Sequence, residues 1–217
     1  MHLLLAEAET FGVGKTTLLG ACREQLVRQK FRVGGLLCPA VYAYRAGHVV
    51  WVGHDAILLP SGKRIELTRV GKSGWEPRHV FFEHTRSHPH LTAARRDLRA
   101  NPAGVGQCLT HLEDVLSDSS VDALVVDEIG TILAGDTPQQ VDGRLLAFCQ
   151  GLANSGKDVV VAAFQLRVQR KPHVLACMDA LRDAGRRGTI ESLVLDGLVS
   201  SPDLPADLLE QAPTSRD

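Results

Sequence analysis

HLLLAEAETFGVGKTTLLGACREQLVRQ, residues 2–29, holds an apolar run, a glycine-containing turn and a helical repeat in direct succession. Residues 2–6 are short and apolar and stop at the turn, as a buried parallel strand feeding a loop does. From Lys15 to about Gln29, Leu18, Leu19, Cys22, Leu26 and Val27 recur at helical spacing with charged residues between them. Gly12-Val13-Gly14-Lys15-Thr16-Thr17 therefore joins a strand to a helix, the context in which a phosphate-binding loop forms. Glycines let backbone N–H groups turn inward around phosphate oxygens, and the helix N-terminus adds the favourable end of its dipole. Lys15 is expected to reach the β- and γ-phosphates of ATP or GTP, and the Thr16 hydroxyl to ligate Mg2+. The competing reading is an ordinary glycine turn before a helix.

Beyond this stretch, residues 32–38 (RVGGLLC) read as a second strand, in which Gly34 and Gly35 suggest close approach by other backbone. Between about Val41 and Val70, the runs VVWVGHDAILL and RIELTRV flank the turn Pro60-Ser61-Gly62-Lys63, predicting an antiparallel insertion. Residues 71–101 are polar and rich in Arg and His, and their pattern assigns no element. Asn101 and Pro102 are placed to cap and open a helix through Val105, Cys108, Leu109, Leu112 and Leu116. A buried strand over 121–127 (VDALVVD) precedes a helix near 138–154, a strand at 158–164, a helix from near Pro172 and a strand at 192–195. This alternation implies one α/β domain over 1–200: a mostly parallel sheet flanked by helices on both faces, with a small antiparallel hairpin insertion at about 41–101. Residues 201–217 read as a weakly ordered tail.

The composition is that of an ordinary globular chain, 217 residues with 44% hydrophobic and 23% charged residues. Lys+Arg at 24 against Asp+Glu at 25 leaves no basic footprint, which argues against a dedicated nucleic-acid binder and requires any anionic ligand to be held locally. Cys22, Cys38, Cys108, Cys149 and Cys177 are scattered and odd in number, as reduced thiols of a cytoplasmic protein would be. The leading MHLLLAEAETFG has no positive n-region and too short an apolar run for a signal peptide or membrane span. The expectation is a cytoplasmic protein, and the sequence names no protein partner.

The strand over 121–127 ends in Asp127-Glu128, where Asp127 is placed to hold a magnesium-linked water and Glu128 to orient the water attacking a γ-phosphate. A lone strand-terminal acid pair would read as a solvated loop; pairing with Lys15-Thr16 favours the functional reading. Arg167, beside Arg170 and Lys171, is a candidate to neutralise charge developing on the γ-phosphate, and Gln165 to sense it, against a plain surface loop. His84, His88 and His90 with Glu83 offer zinc- or nickel-type ligands, but their spacing matches no standard site and favours a solvated loop. Arg95, Arg96 and Arg99 read as an exposed helix face, one of which could approach the nucleotide. Asn154-Ser155-Gly156-Lys157-Asp158 lacks the N-K-x-D order, so guanine specificity has no support.

Taken together, GVGKTT, the segment Gly34-Gly35-Leu36 through Gly53-His54-Asp55 to Ser61-Gly62, and VDEIG resemble the cancer-related and thermophilic-type P-loop nucleoside-triphosphatase family. The likeness covers roughly residues 1–70 and 121–165. It implies a RecA-like fold and slow magnesium-dependent hydrolysis of ATP, GTP and other nucleoside triphosphates with little base selectivity. It carries roles to Gly12, Gly14, Lys15, Thr16, Asp127 and Glu128. Glu9 stands where the first loop glycine belongs, and Ala40 and Tyr42 where that family commonly shows an acid and an arginine. A glutamate at position 9 adds a Cβ and a negative charge near a polyanion.

The leading functional expectation is a nucleoside triphosphate hydrolase. Two others are carried: a nucleotide-binding accessory protein with weak or no turnover, as in metal-cofactor delivery, and a small-molecule or nucleotide kinase.

Overall fold

The apolar run at 123–126 is buried on both sides, and its side chains alternate between two cores: Ala123 and Val125 into one, Leu124 and Val126 into the other. That alternation is the pleat of a strand covered on both faces. The computed structural model describes residues 2–8, 14–45, 48–71, 74, 76–77, 98–132, 147–148, 151–152, 154–165 and 190–195. Its elements are β1 (His2–Ala8), α1 (Lys15–Arg28), β2 (Val33–Leu37), β3 (Ala40–Arg45), β4 (His48–Leu59), β5 (Arg64–Val70), β6 (Glu76–Pro77) and β7 (Leu98–Ala100). They continue with α2 (Pro102–Ser117), β8 (Ala123–Val126), the single turn α3 (Ile129–Ile132), β9 (Val159–Gln165) and β10 (Ile190–Leu195).

All ten strands form one sheet in the order β10-β1-β9-β8-β2-β4-β5-β7-β6, with β3 paired to β4. Four pairings are parallel, β1 with β10 and β9, β8 with β9, and β2 with β8. Five are antiparallel, β4 with β2, β3 and β5, and β7 with β5 and β6. The expected mostly parallel, helix-flanked RecA-like sheet with a small hairpin insertion is therefore corrected. The sheet is mixed, mostly antiparallel by pairing, and curls into a half-barrel, and among the described residues two helices exceed a single turn. The physical reason lies in β4. Its last residues, Ile57–Leu59, pair directly with β2, so the antiparallel strands extend the main sheet instead of sitting on it as an appendage. Right-handed twist accumulated over so many strands curls the sheet into a half-barrel.

Helix α1 covers one face through Leu18, Leu19, Cys22 and Leu26, packed with Leu4, Ala6, Val125 and Val161. Each fully buried leucine contributes about 1.5–3 kcal/mol relative to exposure. Helix α2 covers the other face through Val105, Cys108, Leu112 and Val115. It lies so close that a Cβ on Gly104 would stand 2.2 Å from the Glu66 carbonyl oxygen. Pro102 opens this helix as expected, but the Asn101 side chain donates to the Glu66 carbonyl at 2.9 Å instead of capping. The close approach expected at the paired glycines is present. Gly35 has φ of 111°, and a Cβ there would meet the Val125 carbonyl oxygen at 2.1 Å.

Residues 147–148, 151–152 and 154 are helical, within the helix expected near 138–154. The helix from Pro172, the histidine segment, Arg95, Arg96 and the tail 201–217 lie outside the described residues. No helix among the described residues is long and apolar enough to cross a membrane.

Candidate phosphate and magnesium site

Helix α1 starts at Lys15 because Gly14 adopts the left-handed conformation, φ 92° and ψ 17°, which a residue with a Cβ enters at a cost. The Gly14 carbonyl accepts the Leu18 N–H at 2.9 Å, closing the first helical turn. No acidic residue of the helix itself occupies that turn. Lys15 is buried and Thr17 is exposed.

Thr16 and Asp127 meet at the base of this helix. The Thr16 Oγ1 hydroxyl donates to Asp127 Oδ2 at 2.6 Å, joining α1 to the end of β8. Asp127 is fully buried. Its Oδ2 also accepts the Cys38 N–H at 3.0 Å, and its Oδ1 accepts the Glu128 N–H at 2.9 Å. Its own N–H donates to the Leu36 carbonyl at 3.2 Å, which fixes the strand end against β2. Burial pushes the Asp127 carboxyl up to about 6, and the negative charge of Glu128 adds to the effect; the Thr16 hydroxyl, the Cys38 N–H and Lys15 oppose it. A bound cation would reverse that balance by favouring the carboxylate.

Glu128 follows with φ of 50°, a left-handed conformation in a residue that carries a side chain. Such a conformation costs about 1–3 kcal/mol and persists where the surroundings impose it. Here the Glu128 N–H is held by Asp127 Oδ1, and its carbonyl accepts the Ile132 N–H at 3.0 Å. The hydrogen bonds on both sides of the residue set its backbone.

The donor set suits magnesium. Thr16 offers a hydroxyl and Asp127 a carboxylate, both hard oxygen donors in direct contact. Magnesium retains waters and takes phosphate oxygens, so one or two protein ligands suffice. Among the described residues no group of three or more His, Cys, Asp or Glu forms a closed metal cage.

The antiparallel strands contribute a neighbour that sequence reasoning did not single out. His54, on β4, interacts electrostatically with both Glu128 and Lys15. Its N–H donates to Thr68 Oγ1 at 3.0 Å, and its ring packs edge-on against Trp51 with centroids 5.3 Å apart. Next to it, buried Asp55 pairs with Arg69 and, at 3.7 Å, with Arg64, while Arg69 also reaches Glu66 at 3.3 Å. The only local sign of this arrangement was the Gly53-His54-Asp55 triplet. Its placement depends on strand pairing that no local pattern encodes.

Of the residues expected to act on nucleotide, the structure thus joins Thr16 to Asp127 and Glu128 by hydrogen bonds, with Lys15 in electrostatic contact. Glu9, Gly12, Val13 and Arg167 lie outside the described residues, and Gln165 ends β9 beside Ala8 of β1. Arg99 belongs to β7, opposite Arg69, and not to a helix face. Lys157 donates to the carbonyls of Asp118 and Val121, which gives it a structural task. Cys22, Cys38 and Cys108 are buried free thiols whose ionisation is pushed up by burial. No protein-family model, curated protein or solved structure matches this chain.

Proposed function

We propose that this protein is a magnesium-dependent nucleoside triphosphate hydrolase that converts a nucleoside triphosphate to the diphosphate and phosphate. The observation that carries the reading is the 2.6 Å contact between the Thr16 hydroxyl and the buried Asp127 carboxylate, between the first turn of α1 and the end of β8. The same carboxylate accepts the Cys38 and Glu128 N–H groups, which hold it fixed where it could bind a magnesium-linked water.

In this reading the N–H groups opening α1 and the Lys15 ammonium bind the β- and γ-phosphate oxygens of ATP or GTP. Magnesium, held by Thr16 and through water by Asp127, would supply neutralisation of the charge on those oxygens. Glu128 orients a water on the far side of the γ-phosphorus. The water oxygen bonds to phosphorus, the bond to the bridging oxygen breaks, the diphosphate leaves with that oxygen, and the water proton passes toward the Glu128 carboxylate. Low base selectivity belongs to the same reading, since every group assigned here addresses phosphate, magnesium or water.

Product analysis tests it. ATP or GTP incubated with the protein and magnesium is expected to yield diphosphate and free phosphate in equal amounts with no added acceptor. Phosphate that stays absent until an acceptor is supplied, and then appears on that acceptor, would replace the hydrolase with a kinase.

A further inference from the structure

Between β2 and β3 the chain leaves the sheet for two residues, Cys38 and Pro39, and each is hydrogen-bonded to a different part of the molecule. The Cys38 N–H donates to Asp127 Oδ2 at 3.0 Å, and the Pro39 carbonyl accepts the Asp55 N–H at 3.2 Å. The regular ladders of β2 stop short of both, at Leu36–Val126 on β8 and at Leu37–Ile57 on β4. The peptide that fixes one oxygen of the Asp127 carboxylate is therefore anchored on its far side to β4, through Asp55.

Asp55 is in turn set by β5. The register of β4 on β5 slips between His54, opposite Thr68, and Asp55, opposite Glu66, so Leu67 is an extra residue and the ladder breaks there. Arg69 spans that bulge. Its Nη1 donates to the His54 carbonyl at 2.9 Å and to the Thr68 carbonyl at 2.7 Å, and its Nη2 donates to the buried Asp55 carboxylate. Its Nε lies 3.3 Å from a Glu66 carboxylate oxygen. A guanidinium can serve all these acceptors at once because its donors lie in one rigid plane. Arg64, 3.7 Å from Asp55 and mostly exposed, is a solvent-screened partner of the same carboxylate.

We propose that Asp55 and Arg69 are positioning residues for magnesium, holding the Asp127 carboxylate in place through Pro39 and Cys38; the proposal rests on the magnesium–nucleotide site of the reading above. The path is continuous: Arg69 guanidinium to Asp55 carboxylate, Asp55 N–H to Pro39 carbonyl, Cys38 N–H to Asp127 Oδ2. At its end, Oδ2 also accepts the Thr16 hydroxyl at 2.6 Å. A shift of the Cys38 amide therefore changes the direction in which the carboxylate faces Thr16 and a magnesium-linked water. Groups behind a metal ligand orient it, and their removal lowers metal affinity. Because the path ends on the carboxylate, its loss acts on magnesium and spares nucleotide binding in the absence of the metal.

The test titrates magnesium into the full chain with a fluorescent ATP analogue, reading analogue affinity with and without the metal, and follows phosphate release and thermal midpoint alongside. Arg69→Met is expected to raise the magnesium concentration for half-maximal tightening about fivefold or more, with metal-free analogue affinity within about threefold of native. Asp55→Asn, which keeps the backbone N–H and loses the charge, is expected to move it the same way by a smaller factor. Arg64→Met is expected to match native. In an Asp127→Asn background, Arg69→Met is expected to raise the requirement no further, because both changes act through one carboxylate. A native magnesium requirement in Arg69→Met, an equal rise in Arg64→Met, or a further rise in the Asp127→Asn background would overturn the role. So would a metal-free affinity that falls by the same factor, which is the signature of a brace that only holds the fold. If Arg69→Met does not fold, Arg69→Lys carries the test, since its ammonium keeps the charge but cannot span both carbonyls and the carboxylate. A rise of about twofold or more in its magnesium requirement supports the role, and a native requirement refutes it. A native protein that magnesium tightens on the analogue but that releases no phosphate overturns the hydrolase reading alone, and the same variants still decide this role. Analogue binding indifferent to magnesium in the native protein overturns both.

Discussion

Thr16 and Asp127 stand 111 residues apart in sequence and 2.6 Å apart in the fold, hydroxyl to carboxylate. Thr16→Ala removes that contact together with the magnesium-binding hydroxyl, and is expected to lower phosphate release about 100-fold or more. Thr16→Ser restores an oxygen at the same position and is expected to stay within about tenfold of native. Release assayed across a magnesium titration checks both, with Thr16→Ser requiring more magnesium than native. Equal rates in Thr16→Ala and native protein would show that the contact has no part in turnover.

Glu128 bears a left-handed backbone, φ 50°, beside a fully buried carboxyl. Glu128→Gly removes both the strained side chain and a negative charge next to Asp127. The variant is expected to gain up to about 1 kcal/mol of stability, while losing phosphate release. Urea unfolding and the release assay measure the two effects separately. A variant less stable than native would mean that the Glu128 side chain holds the fold, not the chemistry.

Gly35 brings β2 close against β8, with a Cβ position 2.1 Å from the Val125 carbonyl oxygen and φ of 111°. Gly35→Ala is expected to cost at least about 2 kcal/mol, through strain and displacement of a buried ladder. For a domain of this size that corresponds to a fall of roughly 4–8 °C in thermal midpoint. Gly62→Ala, with open space around its Cβ but φ of 71°, is expected to cost less, about 1 kcal/mol. Scanning calorimetry of the two variants checks the order.

Burial holds the His54 imidazole below its ordinary 6.5, opposed by Glu128 and reinforced by Lys15 and Arg69. The unfolded chain therefore binds this proton more readily than the folded one. The associated stability is present above 6.5 and is lost as pH falls below it. Asp127, raised from 3.8 to about 6, acts in the opposite sense: its contribution is complete below 3.8 and is lost as pH rises through about 6. The difference between native protein and His54→Asn isolates the histidine. Between pH 7.5 and 5.5 the native urea midpoint is expected to fall relative to that of the variant. Midpoints that shift in parallel would contradict the assignment.

The parts of the fold legible in sequence are those set by local pattern. The run 123–126 announces a buried strand because every residue is apolar, and α1 follows from the spacing of Leu18, Leu19, Cys22 and Leu26. The paired glycines of β2 signalled close backbone approach, and Gly35 provides it. The sheet's overall character was not legible. Whether β4 forms a detached hairpin or extends the main sheet depends on Leu58 pairing with Leu36, a contact that no run of residues displays. β7 is three residues long, and Arg99 within it read as a helix face together with Arg95 and Arg96. The site divides in the same way. The loop and the acid pair are contiguous motifs, whereas the setting of His54 comes from a bulge on β4 and its pairing with β5.

The most direct measurement of the central claim is steady-state phosphate release from ATP and GTP with magnesium, comparing native protein with Lys15→Ala and Glu128→Gln, alongside calorimetric titration of nucleotide. The account predicts magnesium-dependent release from both nucleotides by the native protein, lost in both variants, with binding weakened in Lys15→Ala and retained in Glu128→Gln. Nucleotide binding by all three proteins with no phosphate released by any would contradict it and leave a nucleotide-binding module in place of an enzyme.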